Sequence, residues 1–153
     1  KQERSLISLY RSCRKNNLEF LLEIITSKEC EANDEDILNV VNHIYRIGVR
    51  PDWWKLEPLK EKDNWLKLEE LIFKWDKFCR GVLLLGLDRP IKKLDICLKL
   101  AKSSKIVKGF AVGRSIFGKV AENWFLGKIS NSDAIELMSK NFIKLCNLWN
   151  KKI

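Results

Sequence analysis

Three ionisable residues stand inside segments that are otherwise apolar. Glu23 interrupts Leu21, Leu22, Ile24 and Ile25, while Lys55 and Glu57 stand two apart in Trp53-Trp54-Lys55-Leu56-Glu57. Side chains alternate along a strand, so a spacing of two puts Lys55 and Glu57 on one face, and Glu23 on the preceding strand becomes a neighbour of Lys55. A lysine ammonium held out of water loses favour relative to the neutral amine, and a second cation such as Lys108 close by adds to that effect. A neutral amine adds to a carbonyl. The imine that follows is an electron sink, allowing a carbon–carbon bond next to the original ketone to break while a carboxylate moves the protons. The alternative for the same residues is a structural lysine–glutamate ion pair. Lys55 and Lys108 both stand as candidate nucleophiles, with Lys55 favoured because Glu57 shares its face and Glu23 is next door.

A second group lies at the exits of two further apolar runs. Leu85-Gly86-Leu87-Asp88 closes one, and Val112-Gly113-Arg114-Ser115 closes another and opens directly into a helix. Backbone N–H groups at a glycine turn and a helix N-terminus favour an anion, and an arginine there adds charge-assisted bonds to phosphate oxygens. Gly86, Gly113, Arg114 and Lys108 are therefore candidates for holding a phosphate. A plain turn glycine and a solvated surface arginine are the simpler reading of the Gly113-Arg114 pair.

The elements that must position these groups follow from the apolar spacing. A helical stretch from Leu6 to Arg14 ends at Asn16 and Asn17, and the run Leu18 to Ile25 predicts a buried strand. Asn33 is an N-cap for a helix with Asp34, Glu35 and Asp36 in its first turn and Ile37, Val40, Val41, Ile44 and Ile47 along it, stopped by Gly48. Trp53 to Glu57 is a short strand, followed by a helix carrying Trp65, Leu68, Ile72 and Trp75. Gly81 to Leu87 is a third strand, closed by a turn at Asp88, Arg89 and Pro90, where Pro90 suits the first position of the helix reaching Ser103. Ile106 to Val112 is the last strand, with helices around Val120 to Phe125 and from Asp133 to Trp149. The predicted order is αβαβαβαβαα.

Strands apolar on both faces and separated by helices belong in a parallel sheet. A full eight-unit barrel needs typically about 250 residues and rarely fewer than about 200, against the 153 of this chain. The expectation is one α/β domain over 1–153: a small open sheet, or half of a barrel that either pairs with itself or is cut from a longer polypeptide. No dinucleotide fingerprint or P-loop follows any strand, which weakens a nucleotide-binding open sheet.

Composition narrows the function classes. Lys and Arg number 29 against 20 Asp and Glu, a net charge of +9, with hydrophobic residues at 46%. That is enough apolar material for a core. Lysines are spread along the chain, so the charge reads as a diffuse solvated surface. A phosphorylated small molecule is the sharper alternative; nucleic acid is disfavoured, because Trp65, Trp75 and Trp149 fall in helical patterns that look like core. Five widely spaced cysteines and one histidine offer no disulfide framework and no metal site, and suggest a reducing, cytoplasmic compartment. No run is long enough to cross a bilayer.

Four segments carry a family resemblance: Leu21-Leu22-Glu23-Ile24-Ile25, Arg50-Pro51-Asp52-Trp53-Trp54-Lys55-Leu56-Glu57-Pro58, Arg80-Gly81-Val82-Leu83-Leu84-Leu85-Gly86-Leu87-Asp88, and Val107-Lys108-Gly109-Phe110-Ala111-Val112-Gly113-Arg114. Together they resemble the C-terminal half of the class I aldolase barrel of the tagatose bisphosphate aldolase type. They are closer still to the aldolase-like C-terminal domain of bacterial 5-dehydro-2-deoxygluconokinases of inositol catabolism. The resemblance implies strands five to eight of a (βα)8 barrel, Lys55 as the Schiff-base lysine, Glu23 as the acid/base carboxylate, Glu57 orienting the amine, and Gly86, Gly113 and Arg114 at the phosphate. Leu84 stands where the tagatose-type enzymes carry a hydroxyl, and Lys108 where they carry an uncharged polar residue, which implies a different substrate. In the inositol pathway that substrate is 2-deoxy-5-keto-gluconate 6-phosphate, cleaved without a cofactor to dihydroxyacetone phosphate and malonate semialdehyde. The implied partner is either a second copy or an N-terminal half-barrel. The alternative function is a non-catalytic phosphate-binding or structural C-terminal module of a carbohydrate kinase.

Overall fold

A computed structural model describes residues 1–25, 33–86 and 91–151. The elements run α1 (Gln2–Lys15), β1 (Leu21–Glu23), α2 (Asp34–Arg46), β2 (Trp53–Leu56), α3 (Lys62–Trp75), β3 (Gly81–Leu85), α4 (Ile91–Ala101), β4 (Val107–Ala111), α5 (Arg114–Phe125) and α6 (Asn131–Asn150). The order matches the expectation from periodicity. The turn at Asp88, Arg89 and Pro90 lies outside the described residues.

Local chemistry sets the helix ends. Asn17 takes φ 55° just past α1, a left-handed conformation that asparagine tolerates. Asn33 and Asp36 exchange side-chain and backbone bonds in a capping box at the start of α2. Ser130 and Asp133 do the same at α6. Ile37, Val41, Ile44 and Tyr45 form the buried stripe of α2, and Trp65, Leu68 and Ile72 that of α3. Among the described residues no helix is long and apolar enough to cross a membrane.

The four strands are parallel and lie in the order β1-β2-β3-β4. Right-handed crossovers that always step the same way put every connecting helix on one face of the sheet. The burial alternation agrees. Trp54 and Leu56 are fully buried with Val82 and Leu84 in the core, while Trp53 and Lys55, which alternate with them, are only partly covered. The sheet therefore has one face packed under helices and one more open face.

Two strands differ from the sequence expectation. Leu18 to Ile25 is not a buried strand: the ladder holds only Leu21–Glu23, and Leu18, Leu21 and Ile25 are exposed. An apolar run has the same appearance at the edge of a sheet as in its middle. In β4 the register steps from Val82↔Val107 to Leu83↔Gly109, leaving Lys108 as an extra residue in a bulge. Its side chain crosses Gly81, where a Cβ would fall against Lys108 Cγ and within 2.7 Å of the Ile106 carbonyl oxygen. Gly81 also has φ 149°, so only glycine suits this crossing.

At the amino ends of β1 and β2 one carboxylate joins three elements. Asp52 accepts from the Phe20 N–H at 2.7 Å and from the Arg14 guanidinium at 2.8 Å, while Arg14 also donates to the Arg50 carbonyl at 2.9 Å. Burial pushes the Asp52 carboxyl up, but the bonds from Arg14 and Phe20 outweigh it and the net value lies below the usual carboxylate range. A depressed value in the folded state means that the unfolded chain binds the proton more readily. The stabilisation is therefore present above the unfolded pKa and disappears as pH falls through the folded one. Urea unfolding between pH 6 and pH 3 should show an acid limb, below about pH 4, that is flattened in Asp52→Asn. An identical limb in that variant would contradict the assignment.

Candidate functional site

The site forms at the carboxyl ends of the strands. Glu23 and Lys55 pair across β1 and β2, and the same row continues to Leu83 and Gly109. Both side chains leave the ladder on the open face. Lys55 Nζ meets Glu23 Oε1 at 2.8 Å, with side-chain exposures of 23% and 36%. The pair is thus partly withdrawn from water yet reachable from a cavity of about 300 Å³. That volume is at the lower end of what small-molecule sites occupy, roughly 300–1,000 Å³.

Glu23 and Lys55 line one side of this cavity, with Leu85 and Gly86 at the exit of β3 and Gly113 and Arg114 at the exit of β4. Gly113 is the N-cap of α5 and has no side chain with which to bond the first turn. The positive end of a twelve-residue helix therefore lies at the cavity, whose lining includes the cationic residue Arg114, an arrangement that favours an anion. Gly86 has a packing reason as well. A Cβ there would meet Val112 Cγ1 at 2.8 Å and Ser115 Oγ at 3.1 Å, so its absence lets the β3 exit and the start of α5 close together.

Of the residues singled out from sequence, Glu23, Lys55, Gly86, Gly113 and Arg114 come together. Glu57 and Lys108 do not. β2 ends at Leu56, and Glu57 lies just beyond it, 9% exposed and away from the cavity wall. Alternation along the strand placed it beside Lys55 only if the strand continued. Lys108 is turned toward the amino end of the sheet, where its Nζ donates to the Lys105 carbonyl at 2.8 Å. The bulge is the cause, since alternation cannot be counted across an inserted residue. Leu84 likewise points into the core at 1% exposure, so it does not line the cavity.

Ile25, Ser115 and Phe117 also line the cavity, and sequence reasoning had not assigned them to it. Ser115 Oγ is buried with no hydrogen-bond partner. Its position one residue after Gly113-Arg114, in the first turn of α5, was the available signal. A larger concavity, about 530 Å³, is lined wholly by α1 side chains such as Arg4, Arg11 and Lys15. A single helix face brings no second element to bear on a ligand. Among the described residues no group of three or more His, Cys, Asp or Glu is placed to hold a metal.

A family model matches residues 1–153, with the description of an uncharacterized protein conserved in bacteria, DUF2090. No curated protein matches the chain.

Proposed function

We propose, from the premise that this chain belongs to the DUF2090 family, that its site performs class I aldolase chemistry on a phosphorylated keto sugar acid. The observation that carries the reading is the Lys55–Glu23 pair, 2.8 Å apart on the open face and sharing a cavity with an arginine at a helix N-terminus. The resemblance of the four strand segments to the class I aldolase barrel supports the same chemistry. By that resemblance the substrate is 2-deoxy-5-keto-gluconate 6-phosphate.

In this reading Lys55 Nζ adds to the ketone carbon, Glu23 relays the protons, and water leaves as the imine forms. Glu23 then takes the proton of the hydroxyl carried by the far carbon of the bond to be broken, the oxygen that becomes the aldehyde. That bond breaks, its electrons pass into the imine, and malonate semialdehyde departs. Protonation of the resulting enamine and hydrolysis release dihydroxyacetone phosphate and restore the amine.

The strand order supports reading the sheet as an arc of an eight-stranded barrel, because sequential parallel strands with helices on one face are the pattern of such a barrel. Four further strands, from a second copy or from another βα segment, would cover the open face. Both β1 and β4 are edges in need of a partner.

Borohydride reduction in the presence of dihydroxyacetone phosphate, followed by peptide mass spectrometry, tests the chemistry. The adduct is expected on Lys55. Modification at another lysine, or none, overturns the reading and leaves a phosphate-binding module. For the anion site, Arg114→Ala is expected to weaken inorganic phosphate binding about 10- to 100-fold at low salt, the usual worth of a charged hydrogen bond. An unchanged Kd by titration calorimetry would remove Arg114 from the site.

A further inference from the structure

Asp34 is the first residue of α2 and is 7% exposed. Its carboxylate accepts four bonds from the segment that follows β2. The Lys60 N–H reaches both oxygens at 2.9 Å, the Glu61 N–H reaches one at 3.0 Å, and Asn64 Nδ2 reaches the same oxygen at 2.9 Å. Glu61 is the N-cap of α3 and makes no side-chain cap bond of its own. Asp34 therefore caps α3 from another helix, and it supplies a negative charge to that helix's positive end.

The location gives this bond set its meaning. The connection from β1 to α2 and the connection from β2 to α3 both leave the carboxyl ends of the strands that carry Glu23 and Lys55. Asp34 ties the far end of the first to the second. Between Lys55 and the Asp34 anchor lie only Leu56, Glu57, Pro58 and Leu59, all buried. The end of β2 is thus held on one side by the ladder and on the other by this carboxylate.

We propose that Asp34 is a positioning residue of the candidate site, fixing the 57–61 loop and so the direction in which β2 presents Lys55. The proposal rests on the imine reading for its catalytic consequence, whereas its mechanical part can be read without a substrate. Hydrogen exchange by mass spectrometry on the whole chain, comparing Asp34→Asn, Asp34→Ala and the milder Asn64→Ala, is expected to show faster exchange confined to residues 57–64. Borohydride trapping of dihydroxyacetone phosphate on Lys55 should slow by about 10- to 100-fold in Asp34→Asn, the usual result of a small misplacement of a reacting group. The Kd for inorganic phosphate should stay unchanged, because that site is built from β3, β4 and α5.

A fall in trapping matched by an equal loss of phosphate binding would mean general unfolding and would overturn the proposal. So would unchanged exchange at 57–64, or looser exchange with trapping at the wild-type rate. A wild-type protein that traps nothing sinks the imine reading, while the exchange arm by itself still decides for or against Asp34.

Discussion

Lys55→Arg is expected to abolish borohydride trapping and to lower any aldol cleavage by at least about 10³-fold, the scale on which loss of a covalent nucleophile is felt. Arginine keeps a cation within reach of Glu23, so the ion pair at 2.8 Å has a substitute and the partly exposed carboxylate keeps a partner. A guanidinium has no available lone pair at neutral pH and forms no imine. Thermal stability near that of the wild type, together with lost trapping, would separate chemistry from structure. Glu23→Gln gives the complementary result: the amine remains, but the proton relay is gone. If Lys55→Arg retained cleavage, the amine would be the wrong nucleophile and the pair a strut.

Trp54→Ala is expected to cost about 3–5 kcal/mol, the range for removing a large aromatic side chain from a core. Trp54 is fully buried on the face opposite Lys55, its Nε1 donates to the Tyr45 hydroxyl at 2.9 Å, and the two rings meet edge to face with centroids 5.4 Å apart. Removal leaves a cavity and also takes a partner from a buried phenol. Against a typical domain stability of about 5–15 kcal/mol this is a large fraction. With a urea slope of about 2 kcal/mol per molar, the unfolding midpoint should fall by about 2 M. Trp54→Phe, which keeps a ring and loses the N–H, should fall by less than half as much. A midpoint within 0.5 M of wild type for the alanine variant, taken as roughly the size of a surface effect, would contradict a core at this position.

Much of this arrangement was legible in the residues alone. Apolar spacing of 3.6 in the helices, against short continuous runs in the strands, was sufficient for the element order. Asn33 followed by three acids marked a helix start that the capping box bears out. The pair Glu23 and Lys55 was visible because charges are rare in such runs. What stayed hidden depended on residues distant in the chain. Nothing near Asp34 separates it from the solvated acids Glu35 and Asp36, since its partners lie 26 to 30 positions later. The reach of β1 was overread because hydrophobicity does not report whether a neighbour exists. Lys108 was misplaced by one uncounted step in the backbone, and Glu57 by a strand that stops one residue early.

The insertion at Lys108 also governs how this protein can tolerate change. Deleting that residue would leave a regular ladder, because Gly109, Phe110 and Ala111 would keep Leu83, Leu84 and Leu85 opposite them and so keep their faces. Deleting a residue of the regular part instead, such as Phe110, would put Ala111 opposite Leu84 on the other face, and the helix beginning at Arg114 would start from the wrong side of the sheet. A shortening that looks harmless in an alignment would thus unpick the anion-holding corner, whereas lengthening the connection between Phe125 and Asn131 would leave its geometry alone.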